Sequence, residues 1–192
     1  MIPGVLVVCE GSKTEPVYIE AKARDLRVNA RVHVIGGGVA GTDPHGIVKE
    51  AASAKRKAVA DKQPYKSVWA VFDRDEHPSV DAALDTAKSN GVNVALSDPC
   101  FELWVLLHLE SYSTAPVDRA SALRNVRRHI AGYCKSYNVY PDIREHETEA
   151  LELAARLRKH HEEVSGTEHG NPSTGMDRLT RELNELARSQ AE

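Results

Sequence analysis

Cysteine is scarce in this chain, and what there is does not pair. Cys9, Cys100 and Cys134 are odd in number, widely separated, and form no CxxC. This excludes a disulfide framework and a thiolate zinc site, and it fits a reducing, cytoplasmic compartment. Long apolar runs are also missing: nothing approaches the roughly 18 consecutive apolar residues of a membrane span. The opening MIPGVLVVCEGSK has neither the basic start nor the long apolar centre of an export signal. Nor is there an excess of either charge, since 25 Lys and Arg stand against 28 Asp and Glu for a net charge of −3. The global basic footprint of a non-specific nucleic-acid binder is therefore excluded, and any polyanion must be met locally or through a metal. The glycines at 36–38 fit neither GxxxxGK[ST] nor GxGxxG and read as a turn. No internal repeat, low-complexity tract or evident linker divides the chain.

What is present is enough for one full core. The sequence has 192 residues with 41% hydrophobic content, which suits a single α/β unit with a small appendage. VLVVC at 5–9 is a short valine-rich run, as expected of a central strand buried on both faces. Further strands are predicted at 31–35, 68–72 and 92–96, with helices at about 15–26, 44–61 and 79–90 between them. Thr14 is a candidate cap for the first helix, with Pro16 in its first turn, and Gly91 closes the third. Strands alternating with helices imply right-handed crossovers and an open parallel sheet of about four strands flanked by helices. Ligands in such sheets bind beyond the carboxyl ends of the strands. Residues 1–110 read as this α/β core. Residues 111–192 read as a helical extension packed on it, with helices at about 117–131, 145–160 and from 171–173 through Leu186.

The chemistry concentrates around SVWAVFDRDEHP at 67–78. A buried strand ends there in Asp73 and Asp75, which share a face of an extended chain. They could hold a hard cation, Mg²⁺ or Mn²⁺, or they could simply close a turn and cap the next helix. Glu10 ends the first strand and so falls on the same sheet edge. Three carboxylates from two strands repel unless a cation or protons neutralise them, which favours a metal site suited to phosphoryl transfer. Asp98-Pro99 is expected to start a helix with Glu102 in its first turn. In the apolar setting FELWVLL, Glu102 needs a partner or a metal, or else complements the helix dipole. His108 and Trp104 on that helix read as core residues. Lys49, Lys55, Arg56 and Lys57 make one helix basic, and Arg119, Arg124, Arg127, Arg128 and Lys135 make the most basic segment. Each is either a phosphate grip or a solvated face. His160, His161 and His169 lie in a polar loop without recognisable ligand spacing.

Four motifs in order, CEGSKTEP (9–16), VFDRDEHP (71–78), DPCFELWVLLH (98–108) and NPST (171–174), span most of the chain. Together they resemble the RloB-like family of predicted Toprim proteins. A first-strand Glu followed later by a strand ending in DxD is similar to the Toprim fold of topoisomerases, primases and overcoming-lysogenization-defect nucleases. The resemblance implies a metal-dependent nuclease, acting on DNA or RNA in prokaryotic anti-phage defence beside an AAA- or ABC-type ATPase partner. It implies that Glu10 is an acid/base or metal ligand and that Asp73 and Asp75 hold the metal. A lysine assists the acids in the overcoming-lysogenization-defect nucleases, and on that resemblance Lys135 is the candidate for the role here. The candidate metal set is thus Glu10, Asp73, Asp75 and Glu102, the catalytic set adds Lys135, and the candidate nucleic-acid contacts are Lys13, Lys55, Arg124, Arg127 and Arg128. A haloacid-dehalogenase-type phosphatase fits less well, because its DxD sits on the first strand and here the motif ends the third. A non-catalytic metal- or nucleic-acid-binding subunit of an ATPase complex is the other reading.

Overall fold

The computed structural model describes residues 4–11, 13–34, 43–74 and 80–191. The elements in chain order are β1 (Val5–Cys9), α1 (Thr14–Asp25), β2 (Ala30–Val34), α2 (Pro44–Ala60), β3 (Ser67–Asp73), α3 (Val80–Asn90), β4 (Asn93–Asp98) and α4 (Glu102–Leu109). There follow α5 (Arg119–His129), α6 (Tyr140–Ile143), a 3₁₀ turn (Arg144–His146), α7 (Glu147–Ser165), β5 (Ser173–Thr174) and α8 (Met176–Ala191). The sheet order is β2-β1-β3-β4-β5. The first four strands are parallel and β5 is antiparallel to β4. This is the α/β open sheet flanked by helices that the alternation predicts, consistent with a Toprim-like sheet. Among the described residues no helix is long and apolar enough to cross a membrane.

The central strands β1 and β3 read as apolar runs because helices cover both faces of the sheet there, whereas the edge strand β2 exposes Arg31 and His33. Val5, Val7, Cys9, Trp69, Val71 and Ala95 point to one side and pack with α1, α4, α5, α7 and α8. Leu6, Val8, Val68, Ala70, Phe72 and Leu96 point to the other and pack with α2 and α3. The first cluster takes in Val126, Leu157, Leu183 and Leu186, so the helices beyond residue 110 share one core with β1 and β3. A buried polar knot reinforces that junction. Lys22 Nζ on α1 donates to Glu147 Oε2 on α7 at 2.7 Å and to Asn184 Oδ1 on α8 at 2.8 Å. Asn184 Nδ2 returns a bond to Glu147 Oε1 at 2.7 Å.

Several local expectations are corrected. The sheet has a fifth strand, β5, where the NPST motif was read as a turn. Asp98 does not start α4: it is the last residue of β4, held extended by pairing with Ser173, and the helix begins at Glu102. Thr14 does not cap α1, which has no side-chain cap; its hydroxyl instead donates to the Lys135 carbonyl at 3.1 Å. Gly91 does stop α3 in the left-handed region at φ 59°, where a side chain would be strained. Thr174 Oγ1 accepts from Met176 N at 3.2 Å and so caps the entry to α8. Gly36, Gly37, Gly38 and Thr42 lie outside the described residues.

Candidate functional site

Glu10 follows β1 directly, and its amide continues the ladder by donating to Val71 O at 3.1 Å. Asp73 ends β3 beside Ser97 of β4. Both therefore stand at the carboxyl edge of the sheet, where α1 and α4 also begin. A cavity of about 350 Å³ opens there. Four carboxylates line it, from Glu10, Glu15, Asp73 and Glu102, together with the cationic side chains of Lys13, Arg119 and Lys135. Asp73, Glu15 and Glu102 are buried, so their charges are only partly answered by water.

Each acid is held by a distinct local device. Glu15, in the first turn of α1, folds back over Gly11 so closely that a Cβ on Gly11 would lie 2.5 Å from Glu15 Oε2. Burial, and then the neighbouring Glu102, raise the Glu15 carboxyl above its ordinary range, against the pull of its own amide, Arg119 and Lys135. Glu102 opens α4 and accepts from the buried Tyr133 hydroxyl at 3.3 Å. Burial and the Glu102 charge push the Tyr133 hydroxyl up. Burial does the same to the Cys100 thiol, with Glu102 and Asp73 adding to the shift. Asp73 Oδ2 accepts from Arg119 NH2 at 2.6 Å, a charge-assisted contact.

Two of the three cations, Arg119 and Lys135, come from beyond the α/β core. Arg119 is the first residue of α5, whose cap Asp118 accepts from Ser121 N at 2.8 Å. Just before it, Val117 is gripped by the Asn171 side chain, which accepts from Val117 N at 2.8 Å and donates to Val117 O at 2.9 Å. Lys135 sits in the turn after α5, fixed by Thr14 and by Arg127, whose Nε donates to Tyr133 O at 3.3 Å.

Of the residues singled out in the sequence, Glu10, Lys13, Asp73, Glu102 and Lys135 thus meet in one cavity. Asp75 lies outside the described residues. Lys55 is elsewhere: its Nζ donates to Asn90 O at 3.1 Å and to Gly91 O, where the chain leaves α3 to enter β4 at the amino edge of the sheet. Arg124 and Arg128 are exposed on α5 and bond within it, to Ser121 Oγ at 2.7 Å and Asn125 Oδ1 at 3.2 Å. Arg127 braces the Lys135 turn as described. His108 is buried against Trp104, with Nδ1 2.8 Å from Trp104 O, and burial pushes it down to about 4. It borders a separate cavity of about 330 Å³ with Glu110, His146 and Glu149. His161 and His169 lie by the Asp98 end of β4, where His161 Nε2 is 3.1 Å from Pro172 O and Arg74 donates to His169 O. Sequence reasoning did not single out Glu15, Arg119 as a cavity residue, or Tyr133. For Glu15 a signal existed in its place within CEGSKTEP; Arg119 and Tyr133 are brought in only by tertiary packing.

The cavity's anionic donors are all carboxylate oxygens, the donor chemistry of a hard divalent cation rather than of a thiophilic metal. Glu10, Asp73 and Glu102 are the residues that would hold it. Among the described residues no three His, Cys, Asp or Glu side chains are already drawn together at metal-binding spacing. In their place, Arg119 sits on Asp73.

A family model described as RloB-like protein matches residues 5–183. No curated protein matches the chain. The match covers all five strands and every helix through the first half of α8. The chain therefore belongs to the RloB-like family.

Proposed function

We propose that this protein is a Toprim-type, Mg²⁺- or Mn²⁺-dependent nuclease that hydrolyses phosphodiester bonds of DNA or RNA. Its setting would be prokaryotic anti-phage defence, in the cytoplasm and with a partner ATPase. The observation that carries the reading is the convergence of Glu10, Glu15, Asp73 and Glu102 on one cavity at the carboxyl edge of a parallel sheet, with Arg119 and Lys135 beside them. A bound Mg²⁺ or Mn²⁺ would supply Lewis-acid activation of the phosphate and a more acidic water. Glu10, Asp73 and Glu102 provide oxygens for the cation, and Asp75 completes the DxD pair. Tyr133 keeps Glu102 turned into the cavity. Glu15, with its raised affinity for a proton, is suited to hand one to a leaving oxygen. Lys135 is exposed at the rim, where it can meet the phosphate backbone.

The test is incubation of the purified protein with single-stranded DNA, duplex DNA and tRNA in Mg²⁺ or Mn²⁺, with Asp73→Asn and Glu10→Gln as controls. Metal-dependent cleavage lost in both variants is the expected result. Cleavage that persists in both would place the chemistry elsewhere. A second reading, a non-catalytic subunit of an ATPase complex, draws on the Arg119–Asp73 ion pair in a cavity without three acids at metal spacing among the described residues. Absence of cleavage with and without the ATPase would favour it.

A further inference from the structure

Arg119 reaches into the cavity lined by four carboxylates and makes a 2.6 Å contact with Asp73. Its field also extends to the Glu15 carboxyl and the Cys100 thiol, both of which it pulls downward. A buried carboxylate without a nearby cation is costly, so this guanidinium does for Asp73 electrostatically what a divalent ion would do. The two are rivals for the same oxygen. A cation that takes Asp73 Oδ2 as a ligand meets the positive charge of the Arg119 guanidinium at close range and must share or displace its hydrogen bond.

Arg119 is not placed there by α5 alone. Both hydrogen-bonding ends of the Asn171 amide close on the backbone of Val117, two residues ahead of Arg119. Two residues further on from Asn171, Ser173 pairs with Asp98, the last residue of β4. Asn171 therefore ties the start of α5 to the carboxyl end of β4, next to the strand that carries Asp73. The NPST motif acquires a role by this route. Its asparagine fixes the height of α5 over the sheet, while Ser173 and Thr174 form β5.

We infer that Arg119 is a resident counter-cation competing with divalent metal for Asp73, and that Asn171 is a positioning residue that sets how strongly it competes. The inference rests on the metal reading of the same cavity, but it does not require that the protein cut nucleic acid. It has a distinctive sign. Most substitutions that damage a metal site weaken metal binding, whereas removing this arginine should strengthen it.

The experiment is calorimetric titration of MnCl₂ into the full chain, comparing wild type with Arg119→Gln, Arg119→Lys, Asn171→Ala and Asp73→Asn. Circular dichroism and thermal unfolding check that each variant is folded. Arg119→Gln should bind Mn²⁺ about tenfold more tightly, equivalent to about 1.4 kcal/mol. A larger gain is not expected, because the arginine side chain is 43% exposed and water screens part of its charge. Arg119→Lys, which keeps the charge, should stay near wild type. Asn171→Ala should move in the same direction as Arg119→Gln by a smaller factor, about threefold, as suits the loss of ordinary hydrogen bonds. The added affinity should vanish when Arg119→Gln is combined with Asp73→Asn.

Unchanged or weaker Mn²⁺ binding in folded Arg119→Gln overturns the competition. Weaker binding in Asn171→Ala overturns the positioning role and leaves Asn171 a purely structural clamp. Tighter binding in Arg119→Gln with no cleavage of any nucleic acid, with or without the ATPase, upholds the inference and removes the nuclease reading. Failure of both wild type and Arg119→Gln to bind Mn²⁺ removes both.

Discussion

Replacing Lys22 by Met should destabilise the whole protein by about 3 kcal/mol, although Lys22 is remote from the acid cavity. The Lys22 side chain is 2% exposed and that of Glu147 16%, so the pair is shielded from solvent. Removing one partner of such a pair costs about 3–5 kcal/mol, because the other charge is left without compensation. The lower end applies here, since Glu147 keeps the 2.7 Å bond from Asn184 Nδ2. Three kcal/mol is a large part of the about 5–15 kcal/mol that holds a domain folded. Replacing both charges, Lys22→Met with Glu147→Leu, should recover most of the loss and end within about 1 kcal/mol of wild type. Urea unfolding is the assay, followed by the fluorescence of Trp69 and Trp104, both in the α/β core, and by far-ultraviolet dichroism, dominated by the helices. The two signals should coincide and shift together in Lys22→Met, because α1, α7 and α8 share one core cluster. A loss below about 1 kcal/mol, or fluorescence and dichroism transitions that separate in wild type, would refute the reasoning.

Two further outcomes follow from the cavity itself. The folded chain holds the Glu15 proton more tightly than the unfolded chain does, so ionised Glu15 lowers stability, and this penalty fades as pH falls through the raised folded-state value and is gone below the ordinary glutamate value of about 4.3. Glu15→Gln should accordingly be more stable than wild type at pH 7 and equal to it near pH 4 in urea titrations; a deficit at pH 7 would contradict the assignment. Gly11→Ala should cost no more than about 1 kcal/mol, because what it pushes off the β1–α1 turn is the end of the flexible Glu15 side chain. The Gly11→Ala/Glu15→Ala double variant should show clear non-additivity, and simple additivity would mean the contact is not the cause.

The parts of the fold that could be read from the sequence are those in which burial leaves a local pattern. VLVVC and SVWAVF are apolar without interruption because β1 and β3 are central, and the polar residue ending each run marks the ligand edge. Glu10 and Asp73 were legible for that reason. β5 was not: two residues, Ser173 and Thr174, carry no hydrophobic period, and they form a strand only because Ser97 and Asp98 are there to pair with. Asp98-Pro99 has the composition of a helix start, but the ladder outweighs it. Arg119 looked like one of several basic residues on a polar helix, and nothing local distinguishes it from Arg124 or Arg128. Its helix phase turns it inward beside Ala122 and Val126, and the grip of Asn171 does the rest. Thr14 illustrates the same limit, since a hydroxyl suited to capping was taken by a carbonyl from far along the chain.

The contacts that close the cavity reach across long stretches of sequence: 46 positions separate Asp73 from Arg119, and 121 separate Thr14 from Lys135. A chain growing from its amino end lays down β1, α1, β3 and α4, with all four acids, before α5 and the turn bearing Tyr133 and Lys135 exist. Contacts of such reach form late, because the loops between them must first be closed. Until then Glu102 lacks its tyrosine, Asp73 lacks its arginine, and the edge has acids but no opposing wall. The cavity is therefore complete only when the chain from α5 onward has folded back against the sheet.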